Sequence, residues 1–169
     1  MEQIKGKVWM FGDNISTDII FPNTIIFQGK DALQCCMDAI RPGWAKIVKD
    51  GDIIVAGENF GCGSGRSAPR ILKEIGIAAV VASSISRIFF RNSINLGFPA
   101  VECPEICSFC EEGITIEINL LEGIIINSST GNTMNFVSFP ADSPPFNILK
   151  VGGIGQLLST ILSQGKTYE

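Results

Sequence analysis

The stretch that most constrains this chain runs from Gly51 to Gly76, "GDIIVAGENFGCGSGRSAPRILKEIG". "GDIIVAG" is a short, continuously apolar, β-branched run of the kind found in a strand buried on both faces of a parallel sheet. A turn with four glycines follows, Gly57, Gly61, Gly63 and Gly65. Then a helix begins: Ser67 can cap it, Pro69 suits its first turn, and Gly76 falls where it would stop. The pattern repeats downstream. "IAAVVASS" from Ile77 is a second buried strand, "ISRIFFRNSINLG" a helix ending at Gly97, and "FPAVEC" a third short strand. Strands alternating with helices in this way predict an α/β fold with a parallel sheet at its centre.

The flanks extend that core. "GKVWMFG" (Gly6 to Gly12) reads as a first strand, and "DNISTDIIFP" as a polar turn followed by a short apolar run stopped by Pro22. From Lys30 to Ile40, "KDALQCCMDAI" spaces its apolar residues as a helix does, ended by "RPGW". After Cys110 the texture changes to "GITIEINLLEGIIINSSTGNTMNFVSF", alternating runs separated by turn signals, which predicts antiparallel hairpins. The tail returns to helical spacing, with Gly152 and Gly153 dividing it into two pieces. No repeat or linker interrupts the chain. Its 169 residues, 46% of them hydrophobic, suffice for one domain spanning 1–169 in which a βαβ core is joined to a β-rich layer.

Charge and composition remove several function classes. A formal net charge of −4 and a pI near 4.9, with scattered Lys and Arg, offer no basic surface to a phosphate backbone, so nucleic acid is not an expected partner. The apolar runs fall far short of the roughly 20 residues that span a bilayer, and the first residues lack the pattern of an export signal. A cytoplasmic chain with no membrane partner is expected. Its six cysteines are then expected to be reduced thiols. There is no histidine, which removes Ser-His-Asp and Cys-His catalysis and every metal site that needs an imidazole.

Chemistry must therefore come from Ser, Arg, Asp, Glu, Lys or Cys, and the glycine turn is where such residues gather. Backbone N–H groups around Gly61, Gly63 and Gly65, at a helix start, favour an anion. Ser64 adds a hydroxyl and Arg66 a bidentate grip on a carboxylate or phosphate. The turn matches neither G-x-G-x-x-G nor a P-loop, so a small anionic group fits it better than a nucleotide. The opposing reading is a plain strand-to-helix turn, which needs about one glycine. "CPEICSFC" places Cys103, Cys107 and Cys110 at the C-x3-C-x2-C spacing of a 4Fe-4S site, but three thiols in apolar sequence are more simply buried side chains. Cys35 and Cys36 are read as core residues too. Arg87 and Arg91 lie four apart on one helix face, serving either a ligand or ordinary solvation. Phe89, Phe90 and Phe98 read as core. Asp18 either caps its turn or orients Arg66.

Four ordered stretches carry a resemblance: "GDNISTDIIFP", "GDIIVAGENFGCGSGRSAP", "SSISRIFFRNSINLGFPAV" and "FNILKVGGI". Over about Gly6 to Gly155 the chain resembles the small subunits of isopropylmalate isomerase (3-isopropylmalate dehydratase) and their relatives in the aconitase superfamily. The resemblance implies a β/β/α swivelling domain, with mixed sheet layers and flanking helices, docked on a large subunit that carries a 4Fe-4S cluster; no metal is implied in this chain. It implies that Ser64 is the base, its alkoxide held by backbone N–H groups, removing the proton α to a carboxylate while the cluster's open iron takes the neighbouring hydroxyl. Arg66 would clamp a substrate carboxylate, with Gly63 and Gly65 giving it backbone access and Thr17, Asp18 and Arg87 in support. Preorganised donors are what an alcohol needs to act as a base.

The chain departs from that family's pattern in two respects. Gly65 stands where the family has a second serine, and Ser67 and Ala68 follow the arginine where a Glu and His pair is usual. The lost hydroxyl is worth about 1 kcal/mol or somewhat more toward an ionic partner. In the loop after Pro22, tricarboxylate-using relatives carry an arginine, whereas this chain has Ile25, Ile26 and Phe27. An unpaired carboxylate against isoleucine is costly, so an alkyl-substituted malate is expected, isopropylmalate first, with dimethylmalate or a homoaconitate-type substrate as alternatives. A non-catalytic anion-binding relative stays open, as does self-association of the isolated chain.

Overall fold

One strand holds the two halves of the sheet together. In the computed structural model, which describes residues 3–21, 31, 33–65 and 67–163, β1 (Gln3–Met10) changes partner along its length. Its first half, Gln3 to Lys7, pairs antiparallel with β5 (Thr115–Asn119); its second, Val8 to Met10, pairs parallel with β2 (Ile53–Ala56). Beyond β2 come β3 (Ala79–Ala82) and β4 (Ala100–Glu102), both parallel. Beyond β5 come β6 (Ile124–Asn127) and β7 (Thr133–Asn135), both antiparallel. The result is a seven-stranded mixed sheet in the order β4-β3-β2-β1-β5-β6-β7. The α/β class, the parallel centre and the hairpins expected from the sequence are all present.

The parallel strands are apolar throughout because both of their faces are covered. Ile54, Ala56, Val80 and Ala82 face one cluster with Trp9, Trp44, Phe60 and Phe89. Ile53, Val55, Ala79 and Val81 face the other, which continues under the hairpins through Ile116, Ile118 and Ile125. In β5 and β6 buried residues alternate with half-buried ones, as expected of strands with one covered face.

Among the described residues four α-helices lie between successive strands along the chain, and two follow the last strand. α1 (Thr17–Ile20) is a single turn whose Ser16 hydroxyl accepts from the N–H of Ile19 at 3.2 Å. α2 (Ala68–Glu74) follows the glycine turn. Ser67 precedes it but makes no side-chain cap, contrary to the sequence expectation, because its own backbone is already helical at φ −82° and ψ −15°. α3 (Arg87–Asn95) leads into β4, and a short α4 (Ile106–Phe109) lies in the cysteine-bearing segment. α5 (Pro144–Lys150) and α6 (Ile154–Ser163) are the two pieces of the tail, separated at Gly152 and Gly153 as expected. Among the described residues no helix is long and apolar enough to cross a membrane.

The helix expected from Lys30 to Ile40 is not there in its described part. Residues 33–40 form consecutive turns, with Cys36, Asp38 and Ile40 bonding to carbonyls three residues back and Met37 at φ 61°. Burial outweighs periodicity here: Cys36 and Met37 are both fully buried, and Asp31 and Asp38 spend their carboxylates on nearby N–H groups at Leu33 and Gly43. Lys30 and Ala32 lie outside the described residues.

Candidate active site

The carboxyl ends of β1, β2 and β3 meet at the glycine turn, and backbone bonds fix its path. The N–H of Gly61 reaches the Ile15 carbonyl at 2.7 Å, and the N–H of Thr17 reaches the Cys62 carbonyl, also at 2.7 Å. On the other side the N–H of Phe60 meets the Ser84 carbonyl, and the N–H of Ser86 returns to the Phe60 carbonyl. The turn is thus stitched to the start of α1 and to the start of α3. Asp13 and Asn14 add a rim, Asp13 Oδ1 accepting from the N–H of Glu58 at 2.8 Å and Asn14 Oδ1 from the Asn59 amide at 2.9 Å.

Glycine is required here by space as well as by dihedral angle. At Gly61 (φ 73°) a Cβ would lie 2.3 Å from the Phe89 ring, and at Gly63 (φ 105°) one would lie 2.6 Å from Thr17 Oγ1. Gly65 donates its N–H to that same Thr17 oxygen at 3.1 Å, and a Cβ on it would sit 2.8 Å from Thr17 Cβ. In this structure, therefore, a side chain at position 65 and the buried Thr17 compete for one volume.

Ser64 is exposed at the crest of this turn. Among the described residues no backbone acceptor meets its N–H or that of Gly63, so the turn keeps two backbone donors without a partner there. The hydroxyl opens into a cleft of about 380 Å³ lined by Ser64 and one face of α3: Ile88, Arg91, Asn92 and Asn95. The opposite face of α3 fixes that placement. Phe89 and Ser93 are buried, Phe89 edge-on to Phe60 at 5.2 Å.

Of the residues singled out by sequence, the structure brings Ser64, Gly63, Gly65 and Thr17 together. Asp18 is exposed on α1. Arg66, Ile25, Ile26 and Phe27 lie outside the described residues. Arg87 is exposed at the first position of α3 and does not line the cleft; Arg91, one turn on, does. Asn92, Asn95 and Ile88 were not singled out by the sequence reading. The signal that could have found them is their i, i+3, i+4, i+7 spacing on the helix that follows the glycine turn.

An iron–sulfur cluster does not fit this chain's described residues. Cys103 and Cys110 are buried, and the apolar surroundings push both thiols up, Cys110 to about 12. Cys107 is exposed, and no group of His, Cys, Asp or Glu among the described residues is arranged to hold a metal.

Comparison with known proteins gives a consistent picture. Residues 42–105 match the family model for the aconitase C-terminal domain. The chain is 40% identical to the 3-isopropylmalate dehydratase small subunit of Heliobacterium modesticaldum over 167 residues, 97% of this chain and 99% of that one. It is 42% identical to the isopropylmalate/citramalate isomerase small subunit of Methanocaldococcus jannaschii over 166 residues, 96% of this chain and 98% of that one. The crystal structure of 3-isopropylmalate dehydratase from Methanocaldococcus jannaschii superposes with a TM-score of 0.85 at 34% identity, covering 97% of this chain and 99% of that one.

Proposed function

This chain belongs to the family of 3-isopropylmalate dehydratase small subunits, and from that premise we propose that it is the small subunit of a hydro-lyase or isomerase acting on an alkyl-substituted malate, isopropylmalate first, in leucine biosynthesis. It acts with a large subunit. The iron–sulfur cluster that the resemblance implies is assigned in this reading to that partner, and the described residues of this chain present no group arranged to hold a metal. The chain's share of the work is to bind a dicarboxylate and move a proton, as one domain in the cytoplasm.

The observation that carries this reading is Ser64, exposed between glycines at a cleft whose other wall bears a cation and two amides. A serine hydroxyl is a poor base in water. Its alkoxide becomes accessible when fixed donors surround the oxygen, a part the N–H groups of the glycine turn are proposed to play. Ser64 Oγ takes the proton from the carbon next to a carboxylate, and the electron pair left behind becomes the new double bond as hydroxide departs. Thr17 holds Gly65 and so the turn; Arg66 is assigned the grip on a carboxylate, with Asp18 in a supporting role. Ile25, Ile26 and Phe27 favour an alkyl group over a third carboxylate, and the two enzyme names borne by the relatives, isopropylmalate and citramalate, are both alkylmalates.

The test is Ser64→Ala in the complex with the large subunit, with the unsaturated product followed by ultraviolet absorbance. General-base loss is expected to lower turnover by roughly 10²- to 10⁴-fold with assembly unchanged. A Ser64→Ala complex that turns over at the wild-type rate rules Ser64 out as the base.

A further inference from the structure

The α3 face opposite Ser64 has a composition that the fold does not explain. Ile88 is 53% exposed, although a helix with Phe89, Ser93 and Ile94 already buried has no packing use for it. Arg91 is exposed one turn further, and among the described residues it pairs with no carboxylate within 4.0 Å. α3 itself carries two arginines and no acid. Asn92 and Asn95 complete the same face. A solvated helix face would carry charges of both signs, and a core face would carry no arginine.

We propose that this face is the second half of the substrate site: Arg91 grips the carboxylate that Arg66 does not, Asn92 and Asn95 bond its free oxygen or the substrate hydroxyl, and Ile88 packs against the alkyl group. The assignment rests on the alkylmalate reading above and adds the residues that set its selectivity. The geometry suits it. Phe89 fills the space left by Gly61, and the starts of the glycine turn and of α3 share backbone bonds, so Ile88 and Arg91 are held in register with Ser64. A guanidinium grips a carboxylate with two parallel bonds, which a lysine cannot reproduce. Ile88 offers a methyl-sized to isopropyl-sized group an apolar surface. A third carboxylate there would be left unpaired.

The experiment uses the assembled two-subunit enzyme with isopropylmalate and citramalate. Arg91→Gln is expected to raise KM roughly tenfold to a hundredfold for both substrates, the loss of one charged hydrogen-bonding partner, with kcat changed less; Arg91→Lys recovers part of it. Ile88→Ala is expected to lower kcat/KM for isopropylmalate about tenfold while sparing citramalate, because only the larger alkyl group loses contacts. In parallel, calorimetry measures citramalate binding to the wild-type and Arg91→Gln complexes. Equal binding by the two overturns the assignment of Arg91, whether or not either complex turns over. Unchanged KM with weakened assembly overturns it in favour of a subunit contact. Equal losses for both substrates in Ile88→Ala overturn the alkyl assignment. A wild-type complex that binds citramalate but dehydrates neither substrate overturns the functional reading while leaving Arg91 to be judged by binding.

Discussion

At the scale of single residues, the site depends on what Thr17 does for its neighbours. It is 3% exposed, it bonds the Cys62 carbonyl through its N–H, and its hydroxyl accepts from Gly65. Thr17→Val keeps the shape and removes the acceptor, so a half-buried N–H loses its partner at a cost of about 1–2 kcal/mol. Thr17→Ser keeps the acceptor and is expected to melt closer to wild type. Equal melting temperatures for Thr17→Val and Thr17→Ser would show that the hydroxyl does not hold the turn. At this scale the sequence was a partial guide. Ser64 and its glycines were legible because four glycines and a serine in one turn have few other uses. Arg91 was visible only as one of a pair with Arg87, and periodicity cannot tell which turn of a helix faces a cleft. That depends on Phe89 docking over Gly61, a contact between residues 28 apart in sequence.

At the scale of elements, the segment read as a helix and found as turns is tied down by an ion pair. The Arg41 guanidinium lies over the Trp9 ring at 4.7 Å and binds both oxygens of Glu112, which precedes β5. The hydrogen bond from Arg41 holds the Glu112 carboxyl below the usual carboxylate range, and the Met10 N–H at 3.3 Å adds to it. A carboxylate whose folded value is lowered stabilises the fold above its unfolded value, and that contribution disappears as pH falls through the folded one. Glu112→Gln is therefore expected to be less stable than wild type at pH 7, by no more than about 1 kcal/mol because the pair is partly exposed. The two proteins should converge as pH falls through the lowered folded value, where the wild-type carboxylate is lost as well. Denaturant titrations at pH 7 and pH 3 check this, and a difference that persists unchanged at pH 3 would mean the side chain acts by packing alone. The strands and the helices after β2 were legible because each pattern has boundary residues: apolar runs ending in glycine, and helices stopped at Gly76 and Gly97. Residues 33–40 had the helical period without the helical environment, since the burial of Cys36 and Met37 comes from distant chain.

At the scale of the whole molecule, β1 decides whether the two halves of the sheet behave as one. The apolar cluster that includes Val8, Ile53, Val55 and Val81 from the parallel half also includes Ile116, Ile118 and Ile125 from the hairpins, so no boundary in the core matches the change from parallel to antiparallel pairing. Gly6 sits just before that change, paired with Ile116. A Cβ there would lie 2.0 Å from the Gly51 carbonyl oxygen, on the chain leading into β2. Backbone cannot yield as a flexible side chain would, so Gly6→Ala is expected to cost about 3 kcal/mol or more. For a chain of this size that lowers the melting temperature by roughly 6–12 °C. The informative result is the shape of the transition. Trp9 and Trp44 report the parallel half by fluorescence, whereas far-ultraviolet dichroism weighs all seven strands. Because one cluster spans both halves, the two signals should move down together as a single transition. If the tryptophan signal is lost while the dichroism of the hairpins persists, the antiparallel half folds on its own and β1 only joins two units.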